Sequence, residues 1–98
     1  MDFIFEFETT LVEWRGPSPF YFAPVPAEMS SEIKALAKTL SYGWGVVPVR
    51  ARIGETEFKT SLFPREGQFM VPIKDVVRGA NDLEVGEPVS IWMLLGGR

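Results

Sequence analysis

Val47-Pro48-Val49-Arg50-Ala51-Arg52-Ile53-Gly54-Glu55-Thr56-Glu57-Phe58-Lys59-Thr60-Ser61-Leu62 reads as a β-hairpin, and the rest of the chain is organised around it. Val47, Val49, Ala51 and Ile53 alternate with Pro48, Arg50 and Arg52, while Phe58, Thr60 and Leu62 alternate with Glu57, Lys59 and Ser61. A period of two marks half-buried strands. Gly54-Glu55 between them suits a two-residue turn of the Gly-X kind. That turn sets the register: facing residues sum to 109, so Arg52 meets Glu57 and Arg50 meets Lys59. Like charges directly opposite are destabilising unless something negative lies near them. An acidic neighbour strand supplying Glu6 or Glu8 is the expected remedy, with anion binding at the pair as the alternative.

Working towards the start of the chain, Phe3, Phe5, Phe7, Thr9 and Leu11 alternate with Glu6, Glu8, Thr10 and Val12 as one strand. Gly16-Pro17-Ser18-Pro19 ends it, and Phe20 to Ala23 form a second strand, at an edge or a strand end because Pro24 and Pro26 follow. Met29, Ile33, Leu36, Ala37 and Leu40 then recur at helical spacing, with Pro26 in the first turn, Glu28 and Glu32 early, and Lys34 and Lys38 late. This stripe is expected to pack on the protein's own sheet. Tyr42-Gly43-Trp44-Gly45 is an aromatic loop, either a recognition surface or a cover over one end of the fold.

Beyond the hairpin, Arg65-Glu66-Gly67 is a turn and Phe69 to Val71 a short strand. Pro72 is expected to open a short helix carrying Ile73, Val76 and Val77, with Gly79 as its C-cap. The last strand, Val89 to Leu95, is apolar on both faces. It is therefore expected at the centre of the sheet, one face inward and the other under a helix or a subunit contact. If Trp92 and Leu94 are exposed, a homodimer is expected.

Composition excludes more than it selects. Ninety-eight residues suit one domain, 1–98, with thirteen aromatic residues favouring strands and a small interior filled by side chains. The chain has no cysteine and no histidine, which removes a disulfide framework, a thiol nucleophile, the commonest general base and the commonest zinc ligand. No Asp-rich loop is present for a hard cation, so neither metal nor cofactor is expected. A net charge of −3 gives no positive field for non-specific nucleic-acid binding. No apolar run is long enough for a membrane span, and a cytoplasmic location is expected. Ser61, Arg65, Lys74 and Arg78 could form a phosphate patch, or simply cap strand ends and line a solvated helix face. A Ser61–Lys74 nucleophile pair lacks any spacing that announces activation.

Phe58-Lys59-Thr60-Ser61-Leu62-Phe63-Pro64, Phe69-Met70-Val71-Pro72-Ile73-Lys74 and Leu83-Glu84-Val85-Gly86-Glu87-Pro88-Val89-Ser90-Ile91 resemble a small prokaryotic family known only as a numbered domain of unknown function. Val25-Pro26-Ala27-Glu28 and Gly43-Trp44-Gly45-Val46-Val47-Pro48-Val49 extend the likeness over nearly the whole chain. Members occur alone or beside a YdeI/OmpD-associated domain. The resemblance implies a mainly β fold: a closed barrel of about six strands with an inserted amphipathic helix and one short helix. That barrel is similar in architecture to the double-split barrels of AbrB and MazE. Phe58, where the family often has Trp, and the proline of Gly86-Glu87-Pro88 depart from its pattern. No activity or site residue comes with the resemblance. The functional expectation is a non-enzymatic binding or accessory module. Its partner would be a protein or a small anionic ligand, bound through Arg50, Arg52, Lys59, Ser61, Arg65, Lys74 and Arg78. DNA or anion binding by analogy of fold is the alternative.

Overall fold

The central hairpin folds in the expected register. The computed structural model describes residues 3–17, 20–39 and 46–95. In it β4 (Val47–Ile53) and β5 (Thr56–Arg65) pair antiparallel, with Arg50 opposite Lys59 and Arg52 opposite Glu57. Gly54 adopts φ 60°, the left-handed value this Gly-X turn requires at its first position. A second tight turn at Glu66-Gly67 returns β5 into β6 (Gln68–Ile73). The remaining strands are β1 (Phe3–Thr10), β2 (Val12–Trp14), β3 (Phe20–Pro24) and β7 (Pro88–Leu95).

All seven strands join one sheet in the order β1-β7-β4-β5-β6-β3-β2, with every ladder antiparallel. Its two edges, β1 and β2, are separated in sequence by Leu11 alone. Two residue steps reach only about 7 Å, so the sheet has to curl until its edges meet at that corner. Leu11 is 1% exposed; it accepts a hydrogen bond from the Gly86 N–H at 2.9 Å and donates to the Glu87 carbonyl at 3.3 Å. Thr9 Oγ1 donates to the Pro24 carbonyl at 2.6 Å, a further tie from β1 to β3. Among the described residues no backbone ladder joins β1 to β2 or β3. The observed form is thus a half-barrel, where a closed barrel was expected. The single strand expected from Phe3 to Val12 breaks at Leu11 and serves both edges.

Inward-pointing Phe5, Phe7, Val49, Ala51, Leu62, Val71, Ile91, Met93 and Leu95 fill the concave side. Ile33 from α1 (Ala27–Thr39) and Val77 from α2 (Asp75–Ala80) belong to the same buried cluster, so both helices lie on that side. Met29, Leu36 and Ala37 pack at its margin, as the helical spacing predicts. Leu40 lies outside the described residues. Pro26 stands one position before the expected first turn, its carbonyl accepting the Ser30 N–H at 2.8 Å.

Two expectations about α2 fail. Pro72 does not open it but sits in β6 opposite Phe22. The β5 ladder stops at Met70, so from there β6 is paired on one side only and can accommodate a residue without an N–H. Gly79 is not the cap either: Asp82 takes φ 49°, and Leu83 N–H closes on the Arg78 carbonyl at 3.0 Å. This is a Schellman end with aspartate in the left-handed position.

Candidate functional site

Outward-pointing residues of β1, β7, β4 and β5 line up in rows across the convex face, because each ladder aligns them. One row reads Ile4, Leu94, Arg50, Lys59, and the next Glu6, Trp92, Arg52, Glu57. Ser61, opposite Pro48, follows Lys59 on the same face. Four of the candidate binding residues, Arg50, Arg52, Lys59 and Ser61, therefore share one surface.

The carboxylates expected to flank Arg50 and Lys59 are not there. β7 lies between β1 and β4, so Arg50 faces Leu94, and Glu6 is level with Trp92 and Arg52. The acid beside the basic pair is instead Glu57, which lines a shallow depression with Arg50, Phe58 and Lys59. Arg52 turns the other way, its guanidinium 4.9 Å from the centroid of the Trp92 ring.

Arg65, Lys74 and Arg78 do not join this group. Arg65 is on the convex face but at the far end of β5, 5.3 Å from the Phe22 ring centroid. Arg78 stacks 4.1 Å from Tyr21 and pairs with Asp75 at 3.3 Å, so it is a packing residue and not part of a solvated helix face. Lys74, exposed just before α2, borders a hollow with Phe20, Tyr21 and Asp75. Ser61 is thus on the convex face opposite Pro48, and Lys74 stands on a different element just before α2.

Two features escaped the sequence reading. The first is an outer aromatic cluster: Phe20 is 5.4 Å from Trp14, 5.6 Å from Phe22 and 6.3 Å from Phe63, with Phe22 and Phe63 6.0 Å apart. The Phe20, Phe22 spacing by two was the available signal. The second is a cleft of about 490 Å³ between α1 and the β4, β5 and β6 rim. Lys34 and Lys38 stand on it with Ser31 and Gln68, while Ala37, Val46, Val47, Pro64 and Phe69 supply apolar wall, and among the described residues no carboxylate lines it. The cleft is built by Ser30. Its buried Oγ donates to the Val25 carbonyl at 3.1 Å and accepts the Phe69 N–H at 3.0 Å, tying α1 to β6. Gln68 Nε2 donates to the same Val25 carbonyl at 3.0 Å. At i, i+4 and opposite the apolar stripe, the two lysines carry no mark in the sequence of a place on a cleft.

Tyr42-Gly43-Trp44-Gly45 lies outside the described residues. Among those described, no group of three or more acids is placed to hold a metal ion, and no helix is long and apolar enough to cross a membrane.

No curated protein matches the chain. A family model described as a domain of unknown function, DUF1905, matches residues 7–93. The match runs from the middle of β1 almost to the end of β7 and takes in both helices, the basic strand pair and the cleft. With all nine elements of the half-barrel represented in that span, the chain belongs to the DUF1905 family, a domain of unknown function.

Proposed function

We propose that the chain is a non-catalytic binding module that takes a small anionic ligand with an apolar body into the cleft between α1 and β6. One observation carries this reading: Lys34 and Lys38 share a hollow of about 490 Å³ with an apolar wall and, among the described residues, no lining carboxylate. Mostly apolar clefts of a few hundred Å³ with a small number of placed polar groups are the usual form of a small-molecule site. Two ammonium groups one helical turn apart suit the oxygens of a carboxylate or phosphate, with Phe69 and Val47 against the rest of the molecule. Binding is favoured over turnover because the Ser30 hydroxyl is committed in both directions and no carboxylate among the described lining residues stands beside a hydroxyl as a base. An accessory role would suit a family with members beside a YdeI/OmpD-associated domain, and the lack of cysteine suits the cytoplasm.

The architectural resemblance to AbrB and MazE barrels favours duplex DNA instead. Arg50, Arg52 and Lys59, however, are interleaved with Glu6, Glu8 and Glu57 on one face, so a phosphate backbone would meet both signs of charge. The cleft is therefore the better-supported site. Titrating the chain with alkyl and aryl carboxylates and phosphates, followed by amide NMR, tests it. Shifts should centre on α1 and β6, and Lys34→Gln with Lys38→Gln should weaken binding about tenfold or more, each lost charged contact being worth roughly 1 kcal/mol. No shift across the panel, or binding indifferent to both substitutions, overturns the reading. Salt-sensitive duplex binding abolished by Arg50→Ala or Arg52→Ala would favour DNA.

A further inference from the structure

The convex face of β1, β7, β4 and β5 is charged antisymmetrically about its apolar strand. β7 presents Trp92 and Leu94 outward, both half-buried, and no charged residue. On one side of it β1 presents Glu6 and Glu8; on the other β4 presents Arg50 and Arg52. Ile4, 59% exposed, continues the apolar strip onto β1. Neither helix covers the strip, since both send residues into the concave core. Among the described residues Glu6 and Glu8 form no ion pair.

We propose that a second copy of this chain covers this face, about a two-fold axis running parallel to β7. Such an axis maps every row onto itself in reverse: β7 lies on β7, β1 on β4, and β4 on β1. Along the row Glu6, Trp92, Arg52, the Glu6 carboxylate then meets Arg52 of the second copy, the reciprocal pair forms, and Trp92 faces its equivalent. Along the next row Ile4 lies against the aliphatic stem of the second copy's Arg50. An axis across the strands would set β1 on β1 and bring Glu6 and Glu8 against their own equivalents. The charge pattern selects the axis along β7.

Sheet twist does not spoil the match. A crossing of about 30° displaces strands about 4.8 Å from the axis by only about 2.5 Å, less than one residue. The three overlapping strands, about 4.8 Å apart, and some seven residues of about 3.4 Å outline roughly 340 Å² of face. That is below the roughly 800 Å² per partner of a standard interface, so the dimer belongs to the weak, concentration-dependent class.

Sedimentation equilibrium of the full chain at low salt, from about 1 µM to about 1 mM, spans the affinities such a face supports. Wild type, Glu6→Arg, Arg52→Glu and the double swap are compared, each checked for fold by circular dichroism. Wild type should self-associate. Each single reversal should weaken association about tenfold or more, because it turns two contacts per dimer repulsive, and the swap should recover most of the loss. Glu6 is exposed and unbonded, so Glu6→Arg carries the test alone if Arg52→Glu disturbs the stacking on Trp92. Lys34→Gln with Lys38→Gln should leave association unchanged, which separates this interface from the cleft. A monomer at every concentration, a dimer indifferent to Glu6→Arg, or a folded swap that recovers nothing overturns the proposal.

Discussion

The convex surface has two halves that solve one problem differently. Over β2, β3, β6 and the end of β5, the outward apolar residues cover one another: Phe22 is 2% exposed on the outside of the sheet, under Phe20, Phe63 and Arg65. Trp14 completes this cover by lying on Gly16 so closely that any Cβ there would overlap its ring. Over β1, β7 and β4, Ile4, Trp92 and Leu94 lie in a flat strip bordered by charges of opposite sign. Burying an aromatic residue is worth about the same on either half. The difference lies in what supplies the cover: the chain itself on one side, the second copy we propose on the other.

That contrast predicts a large asymmetry in stability. In chemical denaturation at concentrations where the chain is monomeric, Phe22→Ala should cost about 3–5 kcal/mol, and Trp92→Ala less than about 2 kcal/mol because its cover is missing. Equal losses would remove the distinction between the halves. A smaller effect comes from Gly16→Ala, which has to displace the Trp14 ring and should cost about 1–3 kcal/mol. Gly79→Ala, where an added Cβ meets nothing, should instead stabilise by about 0.5–1 kcal/mol by restricting the unfolded chain. The smallest effect should come from the two stacked guanidiniums: Arg65→Ala over Phe22 and Arg52→Ala over Trp92 should each cost about 0.5–1 kcal/mol in the monomer. A markedly larger loss at Arg52 would show that the open half depends on its own cover after all.

Local pattern made the hairpin legible down to its residue pairs, because a two-residue turn leaves no freedom in register. The same alternation hid the break at Leu11. Phe3 to Leu11 keep one face inward through the corner, and periodicity reports which way side chains point, not which strand lies alongside. The error over Glu6 and Glu8 has the same origin: inserting β7 between β1 and β4 is a long-range event with no local signature. Pro72 misled because its tolerance depends on β6 losing a neighbour after Met70. The cleft was illegible for a further reason. Lys34 and Lys38 look like any solvated pair until Ser30 docks α1 against Phe69.

The hand-over at Leu11 also sets a timetable for assembly. Val12 finds Phe22 within ten residues, whereas Phe3 has its ladder partner in Leu95. While the polypeptide is being synthesised, β1 therefore waits as a bare edge carrying Phe3, Ile4, Phe5 and Phe7, the kind of segment that recruits other nascent chains. Glu6 and Glu8 are suited to a gatekeeper role through that interval, since they leave the strand charged until β7 pairs with it. Pairings this distant in sequence are in general slow to close.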